Sequence, residues 1–302
     1  VEVRKPAETA PASQLPAFVE TTVSDKNPYV HQQVIYTFRL FRQVEAKNFN
    51  LDMPVDSSRF LKKEMGDAKR YSRVINGIRY EVHELSVALF PLRPGRVELA
   101  PAILELDLLK PPQRGRRGGP FSLFFDDPFF GPGRQAVHKI LRTEPQPLTI
   151  RPLPKSGQPK DFANLVGQFE IDATLSKQEM EVGDSTTLTV TVSGTGSVKG
   201  VTIPLETLEE RFKIYPDQPE TRHSVKKGRM VEEKTFRFAL VPLRQGRPTL
   251  PAVSISYFDP EKEDYLTQST SPRELRVLPS SSEEPLNLVQ SAPDSDPSKP
   301  TV

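Results

Sequence analysis

The chain has 302 residues, with 31 prolines, 16 glycines, no cysteine and no tryptophan; 41 Lys and Arg stand against 39 Asp and Glu, for a net charge of +2. Without cysteine there is no disulfide framework, thiolate metal site or cysteine nucleophile, and a near-balanced charge gives no basis for nucleic-acid binding. A hydrophobic fraction of 36% spread among so many prolines argues against long helices, and no apolar run is long enough to span a bilayer as a helix.

In chain order, Val1-Glu2-Val3-Arg4 alternates like the last strand of a domain and then passes into KPAETAPASQLP. The same ending returns at LTIRPLPKSGQP (148–159) and at LRVLPSSSEEP (275–285). Two of the three endings close a visible unit, so the first is expected to close a further copy preceding residue 1. The division expected is an ending plus linker over 1–16, a sandwich over 17–151, a linker over 152–160, a second sandwich over 161–278 and a Pro/Ser-rich disordered tail over 279–302. Proline-rich polar linkers of this kind act as semi-rigid spacers.

The first unit opens with FVETTVSDKNPYVHQQVIYTFRLF (18–41), in which Val19, Thr21 and Val23 alternate, Asn27-Pro28 marks a turn, and Val34, Tyr36, Phe38 and Leu40 alternate again. The second echoes it 152 residues later with FEIDATLSKQEMEVGDSTTLTVTVSG (169–194). Each unit then has a proline, Pro54 or Pro204, ahead of a polar and mildly helical patch. Strands resume at 73–92, with a hairpin turn at Asn76-Gly77, and at 228–243.

The clearest repeat lies at the end of those strands: ALFPLRPGRVEL (88–99) and ALVPLRQGRPTL (239–250). The identical pairs are Ala88/Ala239, Leu89/Leu240, Pro91/Pro242, Leu92/Leu243, Arg93/Arg244, Gly95/Gly246, Arg96/Arg247 and Leu99/Leu250. A strand that stops at proline, turns through glycine and restarts with alternation reads as a hairpin. Gly95 and Gly246 would supply a positive φ, and the four arginines would flank the turn and hydrogen-bond strand carbonyls. Some seven short strands per unit, with turn signals every 8–12 residues, favour an all-β chain of tandem immunoglobulin-like sandwiches.

One stretch breaks the symmetry. Residues 110–136 have no counterpart in the second unit and carry Arg114, Arg116 and Arg117, then Phe121, Leu123, Phe124, Phe125, Phe129 and Phe130 around Asp126-Asp127. Loops of this length are functional or disordered. Either the phenylalanines fold back onto their own sandwich, or the stretch is a docking surface, with Arg114, Arg116, Arg117, Phe121, Phe124, Phe125, Phe129 and Phe130 as the partner-binding residues.

Together the opening pattern, the two ALxPLRxGR stretches, FFDDPFF, PLPKSGQPKDFANLVGQFEI and YFDPEKEDYLT resemble the BatD family of bacterial oxygen-tolerance (aerotolerance) proteins over roughly residues 17–278. The resemblance implies immunoglobulin-like domains on the periplasmic side of a membrane-anchored stress-response protein. It also implies membrane proteins with von Willebrand factor A domains as partners and, indirectly, a MoxR-type AAA+ ATPase.

Chemistry is sparse. His31, His83, His138 and His223 lie in separate segments without zinc-ligand spacing, and neither Asp126-Asp127 nor Asp294-Ser295-Asp296 belongs to a full calcium loop. No nucleophile elbow or P-loop is present, and Gly194-Thr195-Gly196 reads as a turn between strands. The expectation is a non-catalytic envelope scaffold or protein-interaction module without cofactor or metal. A ligand- or glycan-binding sandwich is the alternative, disfavoured by the absence of Trp and by only seven Tyr.

Overall fold

A computed structural model describes residues 15–109, 136–160 and 162–280. The Val1–Arg4 ending, the Phe-rich stretch with all eight of its proposed binding residues, and the tail from 281 lie outside the described residues.

The first unit contains β1 (Ala17–Val23), β2 (Val34–Arg42), β3 (Ala46–Asp52), β4 (Phe60–Glu64), β5 (Lys69–Ile75), β6 (Ile78–Pro91), β7 (Gly95–Leu99), β8 (Ile103–Leu109), β9 (Ala136–Arg142) and β10 (Gln146–Ile150). One sheet runs β1-β2-β6-β4, with β5 also on β6, and the facing sheet runs β3-β8-β9; β7 pairs with β10. Lettered in chain order, this is the ABED-over-CFG arrangement of the immunoglobulin class. The core follows from the alternation in the sequence. Tyr36, Phe38 and Leu40 of one sheet meet Leu104, Leu106 and Leu108 of the other, all buried, each stabilising the fold by about 1.5–3 kcal/mol.

The second unit contains β11 (Phe169–Leu175), β12 (Glu179–Glu181), β13 (Thr186–Gly194), β14 (Phe212–Pro216), β15 (Glu220–Lys226), β16 (Arg229–Pro242), β17 (Thr249–Leu250), β18 (Ser254–Asp259), β19 (Asp264–Ser269), β20 (Arg273–Glu274) and β21 (Arg276–Leu278). Its larger sheet, β11-β13-β16-β14 with β15 on β16, reproduces that of the first unit. The facing sheet is reduced to β18-β19, and no strand stands where β3 stands in the first unit. Val198 and Val201 fill that side of the core from a coil segment.

Pairing shows how closely the units correspond. Phe60 stands opposite Pro91 on β4–β6, and Phe212 opposite Pro242 on β14–β16. Gly95 faces Ile150, and Gly246 bridges to Val277. The repeated stretch is nevertheless not a hairpin. β6 ends in the larger sheet, whereas β7 pairs with β10, and β17 likewise pairs with β20. It is a corner that carries the chain from one layer to the other. Its apolar periodicity is the same on either side, which is why the pattern alone suggested a hairpin.

The glycines do have the expected backbone, with φ +121° at Gly95 and +143° at Gly246. Replacing either by valine should cost about 2 kcal/mol, since a β-branched residue is strained there. Hydrogen exchange read strand by strand should show the loss confined to the altered unit; equal loss in both would refute local strain. The arginines at the corners do not hydrogen-bond strand carbonyls. Arg93, Arg96, Arg244 and Arg247 are exposed, and among the described residues their side chains form no hydrogen bond or ion pair.

The mildly helical patches resolve differently from expectation. The one after Pro54 becomes β4 after a turn at Asp56–Arg59, because Phe60 is drawn into the core opposite Pro91. The one after Pro204 holds a single 3₁₀ turn, Glu206–Leu208, with Leu208 buried. The hairpin at Asn76-Gly77 is present, with φ 52° and 81° and Ile75 facing Ile78. Lys227-Gly228 repeats it between β15 and β16 with φ 50° and 75°.

Candidate interaction sites at the joint and at the far end of the first unit

Two places follow from the way the units meet. The end of the first unit where β2 begins and β6 finishes abuts the end of the second where β13 finishes, β16 begins and β18 turns into β19. Gln33 is the clasp. Its Nε2 donates to the carbonyls of Thr195 (2.6 Å) and Met230 (2.8 Å), and its Oε1 accepts the N–H of Met230 (3.0 Å). The side chain thus hydrogen-bonds Met230 as a neighbouring strand would. Met230 itself is fully buried against Ala88 and Phe90, with Ile35 and Met65 beside it. Lys63 of β4 donates to Glu232, a carboxylate only 3% exposed whose Oε2 also accepts the N–H of Val198 (3.2 Å).

A second cluster closes the other side. Tyr29 and Phe258 meet edge to face at 4.8 Å, and Val166, Leu153, Phe162 and Tyr265 pack around them. The Arg151 guanidinium lies 3.9 Å over the Tyr29 ring and pairs with Glu263 at 2.8 Å. Burial, reinforced by a hydrogen bond to Glu263, raises the Tyr29 phenol above its ordinary value, while hydrogen bonds from Arg151 and Tyr29 lower the Glu263 carboxyl. The linker is held as well, since the Tyr265 hydroxyl donates to the Pro154 carbonyl at 2.7 Å.

Beside the clasp lies a cleft of about 570 Å³ whose polar lining includes Asp25, Gln32, Arg39, Gln168, Arg229 and Glu261. Those groups are already engaged with one another or with neighbours: Gln32 with Asp25 (3.0 Å), Arg39 with Glu84 (2.7 Å), Arg229 and Gln168 with Glu261 (both 3.0 Å). No aromatic platform faces it. Among the described residues no cluster of three or more His, Cys, Asp or Glu could hold a metal ion. His83 contacts Glu81 and stacks on Phe49, and His138 contacts Asp107. The histidines stay apart.

The end of the first unit away from the joint is the second place. β8 and β9 face each other down to Leu109 and Ala136, and 110–135 is the connection between them. That end also holds the start of the unit, where the Tyr80 hydroxyl donates to the Leu15 carbonyl (3.2 Å). In the second unit the same connection is the short turn from Asp259 to Asp264, and it is pressed into the joint through Phe258, Glu263 and Tyr265. Sequence reasoning identified the asymmetry but had no means of seeing that the shorter version lies at the joint. It missed Gln33, Met230 and Glu232 entirely, because a clasp between units leaves no local periodicity.

The strand order defines the chain as a protein of the immunoglobulin-like β-sandwich class. Over residues 173–277 it matches the family model described as the BatD DUF11 like domain, so the likeness to BatD holds across most of the second unit. No curated protein matches it by sequence. Among solved structures it is similar to the full ectodomain of mouse nectin-like molecule 4, with 10% identity, 87% of this chain and 64% of that one covered, and a TM-score of 0.19. It is also similar to the type II cohesin dyad of the ScaA scaffoldin of Acetivibrio cellulolyticus (9% identity, 85% and 98% covered, TM-score 0.15) and to the Escherichia coli adhesin FdeC (9%, 86% and 75%, 0.16). The chain spans less than two thirds of the nectin-like ectodomain. At these TM-scores the class rests on the strand order. Among the described residues no helix is long and apolar enough to cross a membrane.

Proposed function

We propose that this chain is a non-catalytic interaction module of the bacterial cell envelope, a BatD-like periplasmic scaffold that engages membrane-associated partners in oxygen or stress tolerance. The observation that carries the reading is the contrast between the two β-to-β connections at equivalent ends. At the joint, against the neighbouring sandwich, the connection is a short turn; at the opposite end of the first unit the chain supplies a long stretch rich in Phe and Arg. A fold that closes without the stretch in one unit does not need it to close in the other. Arg114, Arg116, Arg117, Phe121, Phe124, Phe125, Phe129 and Phe130 are proposed as partner-binding residues, with aromatic anchors supplying buried area and the arginines orientation. The match over 173–277 supports the family context; a membrane-anchored parent protein, von Willebrand factor A-domain proteins as partners and an indirect link to a MoxR-type ATPase are proposed with it.

The test is deletion of residues 113–134 and closure of β8 to β9 with a short Gly-Ser turn. The expected outcome is a melting temperature within about 3 °C of the parent, the shift that ~1 kcal/mol produces in a chain of this size, together with loss of von Willebrand A-domain proteins from a pull-down out of membrane extract. Unfolding of the first unit would instead place the phenylalanines in its core and overturn the reading.

A further inference from the structure

The eight identical pairs of the repeated corner divide into two groups. Five have a structural role. Leu89/Leu240 and Leu99/Leu250 are buried, Pro91/Pro242 face Phe60/Phe212, Gly95/Gly246 turn the chain, and Ala88/Ala239 lie in register on β6 and β16. The other three, Leu92/Leu243, Arg93/Arg244 and Arg96/Arg247, are exposed in both units, and among the described residues their side chains form no hydrogen bond or ion pair. A further arginine stands at each corner: the Leu92 N–H donates to the Arg59 carbonyl (2.8 Å) and the Leu243 N–H to that of Arg211 (3.0 Å). The Arg59 guanidinium lies over Gly95, with Nη2 3.7 Å from where a Cβ there would sit, and its Nε has no hydrogen-bond partner. Asp56 influences Arg59 only at a distance; its Oδ1 accepts the Ser58 N–H (2.8 Å).

At the first corner Leu92 also lines a groove between the units, next in sequence to Arg93, and Phe60 lines it next to Arg59. It measures about 620 Å³ and is lined by Leu61, Leu92, Phe60 and Phe90 on one side and by Asn164, Ser197 and Lys199 on the other, with Lys62 and His31 also present. Among the described residues no acidic side chain lines it, and neither Lys62 nor Lys199 forms an ion pair. These two cations line the groove, and three more without an ion pair among the described residues, Arg59, Arg93 and Arg96, stand at the corner beside it, although the whole chain carries only +2. The groove also has an open strand edge. Bonding of Leu92 to Arg59 sets the ladder phase of β4, so Leu61 and Lys63 face β6 while Phe60, Lys62 and Glu64 direct their backbone groups outward. The Phe60 N–H is taken by the Asp56 carbonyl (2.9 Å); that of Lys62 faces the groove.

We propose that this groove receives an extended acidic segment of a partner protein. Its backbone would add to β4, its carboxylates would meet Arg59, Lys62, Arg93, Arg96 and Lys199, and an apolar residue between them would cover Leu61 and Leu92. Strand addition supplies affinity and the alternating side chains supply specificity, and guanidinium forks match carboxylates bidentately. Lysine on an edge strand also serves to repel unwanted pairing, which accounts for Lys62 but not for arginines repeated on two corners. A flat lipid surface cannot enter a concavity between two sandwiches, whereas a single strand can. The proposal rests on the chain being a binding module and adds a second, independent contact to the one proposed at the far end of the first unit.

The test uses the full chain and a short fluorescein-labelled peptide of alternating glutamate and leucine, titrated by fluorescence anisotropy at low and at physiological ionic strength. R93E/R96E should weaken binding by about tenfold or more, while R73E/R79E, the same charge change on the exposed β5–β6 hairpin, should alter it by less than about twofold. The matching glutamine-leucine peptide should not bind. Deletion of 113–134 should leave the affinity unchanged, which separates failure here from failure at the far end of the first unit. Equal loss in both double variants, equal binding of the glutamine peptide, no binding at all, or preference for phosphatidylglycerol vesicles over the peptide would each overturn the assignment.

Discussion

Lys63→Ala is expected to destabilise the chain by about 3 kcal/mol, whereas the double change Lys63→Met with Glu232→Leu stays within about 1 kcal/mol of the parent. Glu232 is 3% exposed and keeps only the Val198 N–H as a donor once the ammonium is gone. A carboxylate stranded in that position has lost its water and its counter-ion together. The Lys63 side chain is itself 30% exposed, so water reaches the pair from one side and the loss falls at the lower end of what breaking a buried pair costs. Removing both charges leaves two apolar side chains beside Met230, Ala88 and Phe90, a setting that suits them. Urea titration of the single and double variants measures the difference. Equal stability of the two variants would mean that Glu232 relaxes into solvent and that the ion pair does not fasten the joint.

Much of the fold was legible because sandwich strands carry period-two patterns, and Val34, Tyr36, Phe38 and Leu40 lie in the core as the alternation demands. Register was legible through the repeat: pairs such as Phe60–Pro91 and Phe212–Pro242 preserve the offset between units. What the pattern could not separate is two strands paired with each other from two strands in different sheets, since both need alternation around a turn; the corner at Gly95 was misread for that reason. The mild helical character of SSRFLKKEM is likewise a local preference, and burial of Phe60 overrides it. The clasp was invisible. Gln33 is one polar residue before a strand, and only the placement of Thr195 and Met230 opposite it turns its amide into a three-bond connector. The unpaired arginines were visible as a repeat, but their freedom from partners is a property of the folded surface.

Gly196→Ala should be the most damaging small substitution near the joint, at about 3 kcal/mol, against about 1 kcal/mol or less for Gly200→Ala four residues on. Neither position has a φ in the left-handed range, so the difference is one of space. A Cβ on Gly196 would stand 2.2 Å from the Val166 carbonyl oxygen and 2.7 Å from Cζ of Phe169; one on Gly200 would meet only the Ala163 carbonyl, at 3.2 Å. The obstacle at Gly196 is backbone, which cannot swing aside as a long side chain can. That backbone is also pinned: the Phe258 N–H donates to the Leu165 carbonyl (2.8 Å) and the Gly167 N–H to the Phe258 carbonyl (2.9 Å). Moving Val166 therefore disturbs Phe258, and with it the contact to Tyr29 across the joint. On the other side, Gly196 follows Thr195, whose carbonyl accepts from Gln33. The methyl group is thus driven between the two fastenings of the units, and thermal melts of Gly196→Ala should show both the loss of stability and a broader transition as the units cease to unfold together. A transition as sharp and as high as that of Gly200→Ala would show that the joint absorbs the shift, and that its rigidity does not depend on this close approach.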